Sequence, residues 1–137
     1  MTKTEFSNYR ALVLEVQQLR TLLAELEAAK FSVSGADFSG APREAPSQGS
    51  AVEHKVIRYL DTLALYREKV ATKTAQLIAI EAALDSLESP VERLIMRLRY
   101  IEGRSWVSVC VELESLGYSE RQVYRLHGFA LMKLKEI

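Results

Sequence analysis

The chain has 137 residues, 48% of them hydrophobic and 26% charged, with 18 basic and 18 acidic side chains and no formal net charge. That length allows one modest domain, or a small domain on a long helical element, and excludes two full-sized cores; the composition excludes a globally disordered chain. No apolar run approaches the roughly 18 residues that span a bilayer, and the start of the chain lacks the basic-then-apolar layout of a signal peptide, so a cytoplasmic protein without a membrane partner is expected.

From about Thr4 to Lys30, apolar or aromatic residues fall at Tyr9, Leu12, Val16, Leu19, Leu23 and Leu26. Alternating intervals of three and four are the heptad seam of a coiled coil, which predicts a helix. Phe6, Val13 and Leu22 widen the stripe, so this helix is expected to touch more than one neighbour. Residues 31–50 follow, with Gly35, Gly40, Gly49, Pro42, Pro46 and five serines and no helical or strand period. This composition predicts a flexible linker, with Phe31, Val33 and Phe38 free to dock locally.

A second heptad segment occupies residues 51–88. Val56, Leu63, Val70, Leu77 and Leu84 recur every seven residues, with Val52, Tyr59, Tyr66, Lys73, Ile80 and Leu87 between them. A helix of that length is roughly 55 Å long and cannot be buried by a small domain. Its seam must face the first helix, a second copy, or both, so a hairpin or a dimerisation bundle is expected and a homodimer or higher oligomer follows. Lys73 interrupts the seam; its stem can pack while the ammonium reaches solvent.

Ser89-Pro90 ends this helix and opens the next, with Ser89 as N-cap and Glu92 placed to complete a capping box. A domain boundary is expected there. Within residues 89–137, Val91, Leu94, Ile95, Leu98 and Ile101 form one apolar face. Gly103 supplies a C-cap and Ser105 an N-cap for a second helix that turns Trp106, Val109, Cys110 and Leu113 inward. The single cysteine can form no intrachain disulfide and packs as a small apolar residue. Leu116 and Gly117 close this helix, Tyr118 packs at the turn, and Ser119 caps a third helix running to about Glu136. Val123, Leu126, Ala130, Leu131 and Leu134 face its core.

The pattern is a helix-turn-helix, and the whole chain reads as all-α. At the exposed start of the third helix stand Glu120, Arg121, Gln122, Tyr124 and Arg125. Arginine pairs bidentately with guanine, glutamine with adenine, and glutamate accepts from cytosine, so the set suits groove reading. Arg104 and Ser105, at the start of the second helix, are placed for phosphates, as is Gln122 if it points sideways. His127 is open to two readings, a phosphate contact or a packed structural histidine. Charge leans the right way without being strong: residues 91–137 hold 8 basic against 6 acidic side chains, whereas each earlier segment has one excess acid.

The words RYIEG with Ser105-Trp106, Gly117-Tyr118-Ser119, and RQVYRLHGFAL from Arg121 to Leu131 resemble the C-terminal segment of small phage and prophage regulators of the ArpU and RinA type. Those regulators are themselves similar to region four of sigma factors. The resemblance covers about a third of the chain. It implies a DNA-binding activator of late phage genes for packaging and morphogenesis, acting in the bacterial cytoplasm with the SERQVYR helix in the major groove. It also implies base-reading roles for Glu120, Arg121, Tyr124 and Arg125, and backbone-contacting roles for Arg104, Ser105 and Gln122. One departure stands out: Cys110 and Gly117 lie seven residues apart where four or five are usual. The extra residues, Glu112 to Ser115, either lengthen the second helix or change the angle of the third.

Catalysis has little support. His54 and His127 lie in different segments, no spacing of Asp, Glu, His or Cys matches a metal site or a nucleophilic arrangement, and no phosphate-binding glycine loop is present. No enzyme activity, cofactor, metal or small-molecule substrate is therefore expected. The expected partners are double-stranded DNA, a second copy through the heptad helices, and host RNA polymerase. Two other readings remain open: a small terminase-like subunit for DNA packaging, and a sigma-like adaptor that binds polymerase without touching DNA.

Overall fold

The computed structural model describes residues 1–38 and 46–136, with side chains described for residues 1–29 and 51–136. Among the described residues the fold is all-helical: α1 (Lys3–Ser7), α2 (Tyr9–Phe38), α3 (Pro46–Asp85), α4 (Pro90–Met96) running on into a π-helical stretch (Arg97–Ile101), α5 (Trp106–Glu114) and α6 (Glu120–Lys135). None of these helices is long and apolar enough to cross a membrane. Two compact units form, one from Met1–Leu14 with Ala75–Ile137, the other from Glu15–Thr74.

The unit Glu15–Thr74 is a pairing of α2 with α3. Val16 and Leu63 are its buried seam residues. Tyr59 Oη donates to the Leu26 carbonyl at 2.7 Å, and Lys73 reaches Glu15 at 2.8 Å while Arg67 reaches Glu27 at 3.1 Å. Lys73 thus interrupts the seam with an ion pair inside the chain. The two heptad seams thus meet at Val16 and Leu63, while the seam residues Val52 and Val56 stay 44% and 49% exposed.

The helices also run further than composition predicts. α2 continues through Gly35 to Phe38 and α3 starts at Pro46, so only residues 39–45 of the expected linker are left unassigned, and these lie outside the described residues. At the other end, the single helix expected from Thr4 is divided at Asn8. A capping box between Thr2 and Glu5 starts α1, and Phe6 turns into the core.

The other unit holds two apolar clusters. Phe6, Tyr9, Ile80, Ala83, Leu84, Leu87, Met96, Tyr100, Ala130 and Leu134 make the first; Ile95, Leu98, Val109, Leu113 and Val123 make the second. α4 and its π-helical continuation supply both. Ile95 and Leu98 face α5 and α6, while Met96 and Tyr100 face α1, α2, α3 and the C-terminal half of α6. Tyr9 Oη donates to Glu81 Oε1 at 2.6 Å, and burial with this hydrogen bond pushes the phenol up to about 12. Ser89-Pro90 therefore marks a helix start rather than the edge of a domain, since the compact unit takes in chain from both sides of it.

Ser89 caps α4 as expected, but the capping box is only half made. Its Oγ accepts from the Glu92 amide, whereas the Glu92 carboxylate is 4% exposed and bound by Lys133 Nζ at 3.0 Å to each oxygen. The buried carboxylate ties the first turn of α4 to the last turn of α6. Arg93 instead reaches back to the carbonyls of Leu87 and Glu88 at the end of α3.

The π-helical turn closes with the Glu102 amide on the Arg97 carbonyl at 2.9 Å and the Arg104 amide on the Leu98 carbonyl at 3.0 Å. Gly103 takes φ +70°, and Arg10 donates to the carbonyls of Ile101 and Glu102 at 3.1 and 3.0 Å. A Cβ on Gly103 would lie 2.4 Å from Arg10 Cδ. Gly117, at φ +90°, has open space where a Cβ would go. Gly117→Ala is expected to cost the left-handed strain alone, about 1–2 kcal/mol. Gly103→Ala adds loss of the Arg10 bonds and is expected to cost on the order of 1–3 kcal/mol more. In an Arg10→Ala background that extra cost should vanish, which a urea-unfolding double-mutant cycle measures.

Candidate nucleic-acid interface

The connection from α5 to α6 decides how α6, the third helix of the expected helix-turn-helix, is presented. The Gly117 amide bonds the Glu114 carbonyl at 2.9 Å and the Tyr118 amide bonds the Leu113 carbonyl at 3.0 Å. This is a Schellman closure with Gly117 in the left-handed position, and Tyr118 packs on the cluster that contains Leu113. The extra residues after Cys110 are used in this way: Glu112 to Glu114 complete α5, and Ser115 opens the turn. Ser119 then caps α6 in a full capping box, its Oγ accepting from the Gln122 amide while Gln122 Oε1 accepts from the Ser119 amide at 2.8 Å. Residues 115–119 are thus held at both ends.

Val123, His127, Ala130 and Leu134 are buried on α6. Glu120, Arg121, Tyr124 and Arg125 are all exposed on its first two turns. Arg121 and Arg125 lie four residues apart on one face, with Glu120 and Tyr124 on the adjacent one. Tyr124 rests against Trp106, with ring centroids 5.1 Å apart. Trp106 in turn carries the Arg99 guanidinium at 5.0 Å and the edge of His127 at 4.5 Å, so an aromatic layer orients Tyr124 from below.

The residues expected at the DNA backbone divide. Ser105 caps α5, its Oγ accepting from the Ser108 amide at 3.2 Å, and keeps its hydroxyl proton for a further partner. Gln122 keeps its amide NH2. Arg104 is held by Glu102 at 2.8 Å and Glu112 at 3.0 Å, so a phosphate must displace two carboxylates to reach it. His127 is corrected outright: it is 7% exposed, its Nε2 lies 2.7 Å from Tyr100 Oη, and it belongs to the core. Burial, with smaller contributions from Lys3 and Arg99, lowers it to about 4 and keeps the ring neutral. Cys110 is partly buried, and burial with nearby Glu120 raises its thiol.

Sequence reasoning missed most of what binds the other cations. Arg93 caps carbonyls, Arg97 pairs with Asp85, Arg99 donates to the Arg104 carbonyl at 2.9 Å, and Lys133 neutralises Glu92. Among the described residues no hydrogen bond or ion pair is formed by the side chains of Arg121, Arg125 or Lys135. The modest positive excess of residues 91–137 is therefore largely internal, and the outward cations concentrate on α6. Beside them, α5 leaves Val107 75% and Val111 61% exposed. These line a groove of about 470 Å³ with Cys110, Glu114, Tyr118, Ser119, Glu120 and Tyr124. Among the described residues no group of three or more His, Cys, Asp or Glu is arranged to hold a metal.

Comparison with known protein families, with curated proteins and with solved structures finds no match to this chain.

His127 makes the unit acid-sensitive. The unfolded imidazole takes up a proton near its ordinary value of about 6.5, whereas the folded one refuses it until about pH 4. Its contribution is thus complete above pH 6.5 and is lost as the pH falls toward 4, by on the order of 2–3 kcal/mol. His127→Gln, which can still bond Tyr100, should flatten that slope when urea unfolding is compared at about pH 7, 5.5 and 4.

Proposed function

We propose that the protein is a sequence-specific, double-stranded-DNA-binding transcription regulator that lays α6 in the major groove. The observation that carries this reading is the pairing of a doubly anchored turn with an α6 N-terminal half whose Arg121 and Arg125 have no partner among the described residues. A rigid turn fixes the angle of the helix, and free guanidinium groups four residues apart can each address a guanine edge. Tyr124, held on Trp106, supplies a pre-oriented contact to a thymine methyl or a phosphate. Glu120 disfavours some bases and selects cytosine. Ser105 and the Gln122 amide position the backbone, as does the positive end of α6.

The near balance of charge around this surface has a consequence. Glu120 adjoins Arg121 and shares the start of α6 with Arg125, and residues 91–137 carry only two more basic than acidic side chains, so non-specific attraction to the duplex is weak and base contacts must contribute a large share of binding. The resemblance to late-gene activators of phages supplies the biological setting for this reading, and host RNA polymerase is then the second partner.

Selection of bound fragments from random DNA should return a defined motif, read out by sequencing. On the selected site Arg121→Ala and Arg125→Ala should each weaken binding by about 1–3 kcal/mol, roughly 5- to 150-fold, and relax one base position apiece. Equal affinity for every sequence would remove the regulator reading. A defined ring of many subunits gripping any duplex would favour a packaging role instead.

A further inference from the structure

The groove between α5 and the start of α6 is apolar in its floor and acidic at its rim. Val107 and Val111 stand 75% and 61% exposed along one side of α5, and the lining residues include two carboxylates, Glu114 and Glu120, with no basic group among the described residues. A scattered exposed valine needs no explanation, but two of them one helical turn apart beside a shaped groove form a patch that water covers poorly. On the α5 side of the groove, where Val107 and Val111 stand beside Glu114, a duplex is a poor occupant, because its phosphates would meet an apolar surface and a carboxylate.

The same unit presents a surface of the opposite kind. Along the outer face of α6, Phe129 is 48% and Met132 67% exposed, three residues apart, and they are flanked by Arg125 and Lys135, with Glu136 the one acid beside them. Neither Arg125 nor Lys135 has a side-chain partner among the described residues. Groove and ridge thus match in both respects that matter at an interface: apolar against apolar at the centre, acid against base at the rim. They lie on different faces of the molecule, so one copy cannot satisfy both with itself.

We propose that the Phe129–Met132 ridge of one copy docks in the Val107–Val111 groove of a second copy, giving head-to-tail self-association of this chain. Arg125 and Lys135 of the ridge face Glu114 and Glu120 of the groove. Such a contact is heterologous, because each copy retains a free groove at one end and a free ridge at the other, and it repeats until it closes in a ring or extends as a filament. Glu120, Tyr124 and Arg125 are also the side chains proposed to read bases, so a copy engaged through them in this contact is not free to bind DNA with them, and the contact is tested without DNA.

Sedimentation of the full chain should show a weight-average mass that rises from the 15.5 kDa monomer as concentration increases, and falls again as salt screens the rim charges. Val111→Glu and Met132→Glu, both at exposed positions, should each remain monomeric with circular dichroism and melting like the parent. Mixed in equal amounts, the two variants should form a species of twice the monomer mass and nothing larger, since only one intact groove and one intact ridge are available. Val107→Glu substitutes for Val111→Glu if the latter melts early. A parent chain that stays monomeric at all concentrations overturns the proposal, as does a mixture that stays monomeric or variants that associate like the parent. A monomeric parent would leave the groove to a basic, apolar segment of some other protein.

Discussion

The structure depends on a short helix that has no solvent face to spare. α4 and its π-helical continuation place Ile95 and Leu98 in one apolar cluster and Met96 and Tyr100 in the other, all at 5% exposure or less. A helix apolar on two sides must be covered on both. α5 and α6 cover one side, and α1 with the start of α2, the end of α3 and the C-terminal half of α6 covers the other. The segment α4–α6 is therefore not closed by its own helices. Part of its rear wall comes from the start of the chain, and Phe6 against Tyr100, with ring centroids 5.9 Å apart, is where that part touches the central helix.

Polar groups lock this arrangement in a consistent manner. Arginines bind free carbonyls at and between helix ends: Arg10 at the end of the π-helical turn, Arg93 at Leu87 and Glu88 in the connection from α3 to α4, and Arg99 at Arg104 in the connection to α5. Each bond satisfies acceptors that the helices leave open. The consequence for function is electrostatic. Within residues 91–136, most cations that sequence alone would count toward a DNA-binding surface are paired within the fold, and those without a side-chain partner among the described residues are Arg121, Arg125 and Lys135 on α6. The proposed base reading and the proposed self-association then draw on one helix and share Arg125.

His127 shows how burial redistributes roles along a single helix. It stands three residues after Tyr124, and by sequence it could face a phosphate or the interior. Its hydrogen bond to Tyr100 and its contact with Trp106 put it inside, where it links the central helix to α6 as a neutral ring. Tyr124 stays outside on the same Trp106 platform. One aromatic residue at the start of α5 thus separates an interior contact from an exterior one.

Much of the local structure was legible along the chain. The heptad seams of α2 and α3, the caps at Ser89, Ser105 and Ser119, and the glycine turns at 103 and 117 all follow from periodicity, capping chemistry and positive φ, which involve only neighbours a few residues away. What sequence left undecided was which surfaces meet. A heptad seam specifies that something must cover it without saying whether the cover is the same chain; here α2 and α3 meet at Val16 and Leu63, while Val52 and Val56 stay exposed. Glu92 looked like the partner of Ser89 and was taken by Lys133, because a carboxylate removed from water is held most strongly by an opposite charge brought close by the fold. Met96 and Tyr100 carried no periodic signal for a second buried face, since that face exists only once α1 has folded back across the central helix. Local backbone geometry was determined by the sequence itself; partner choice, burial and the remaining free charge were decided by tertiary packing, because these depend on residues distant in the chain.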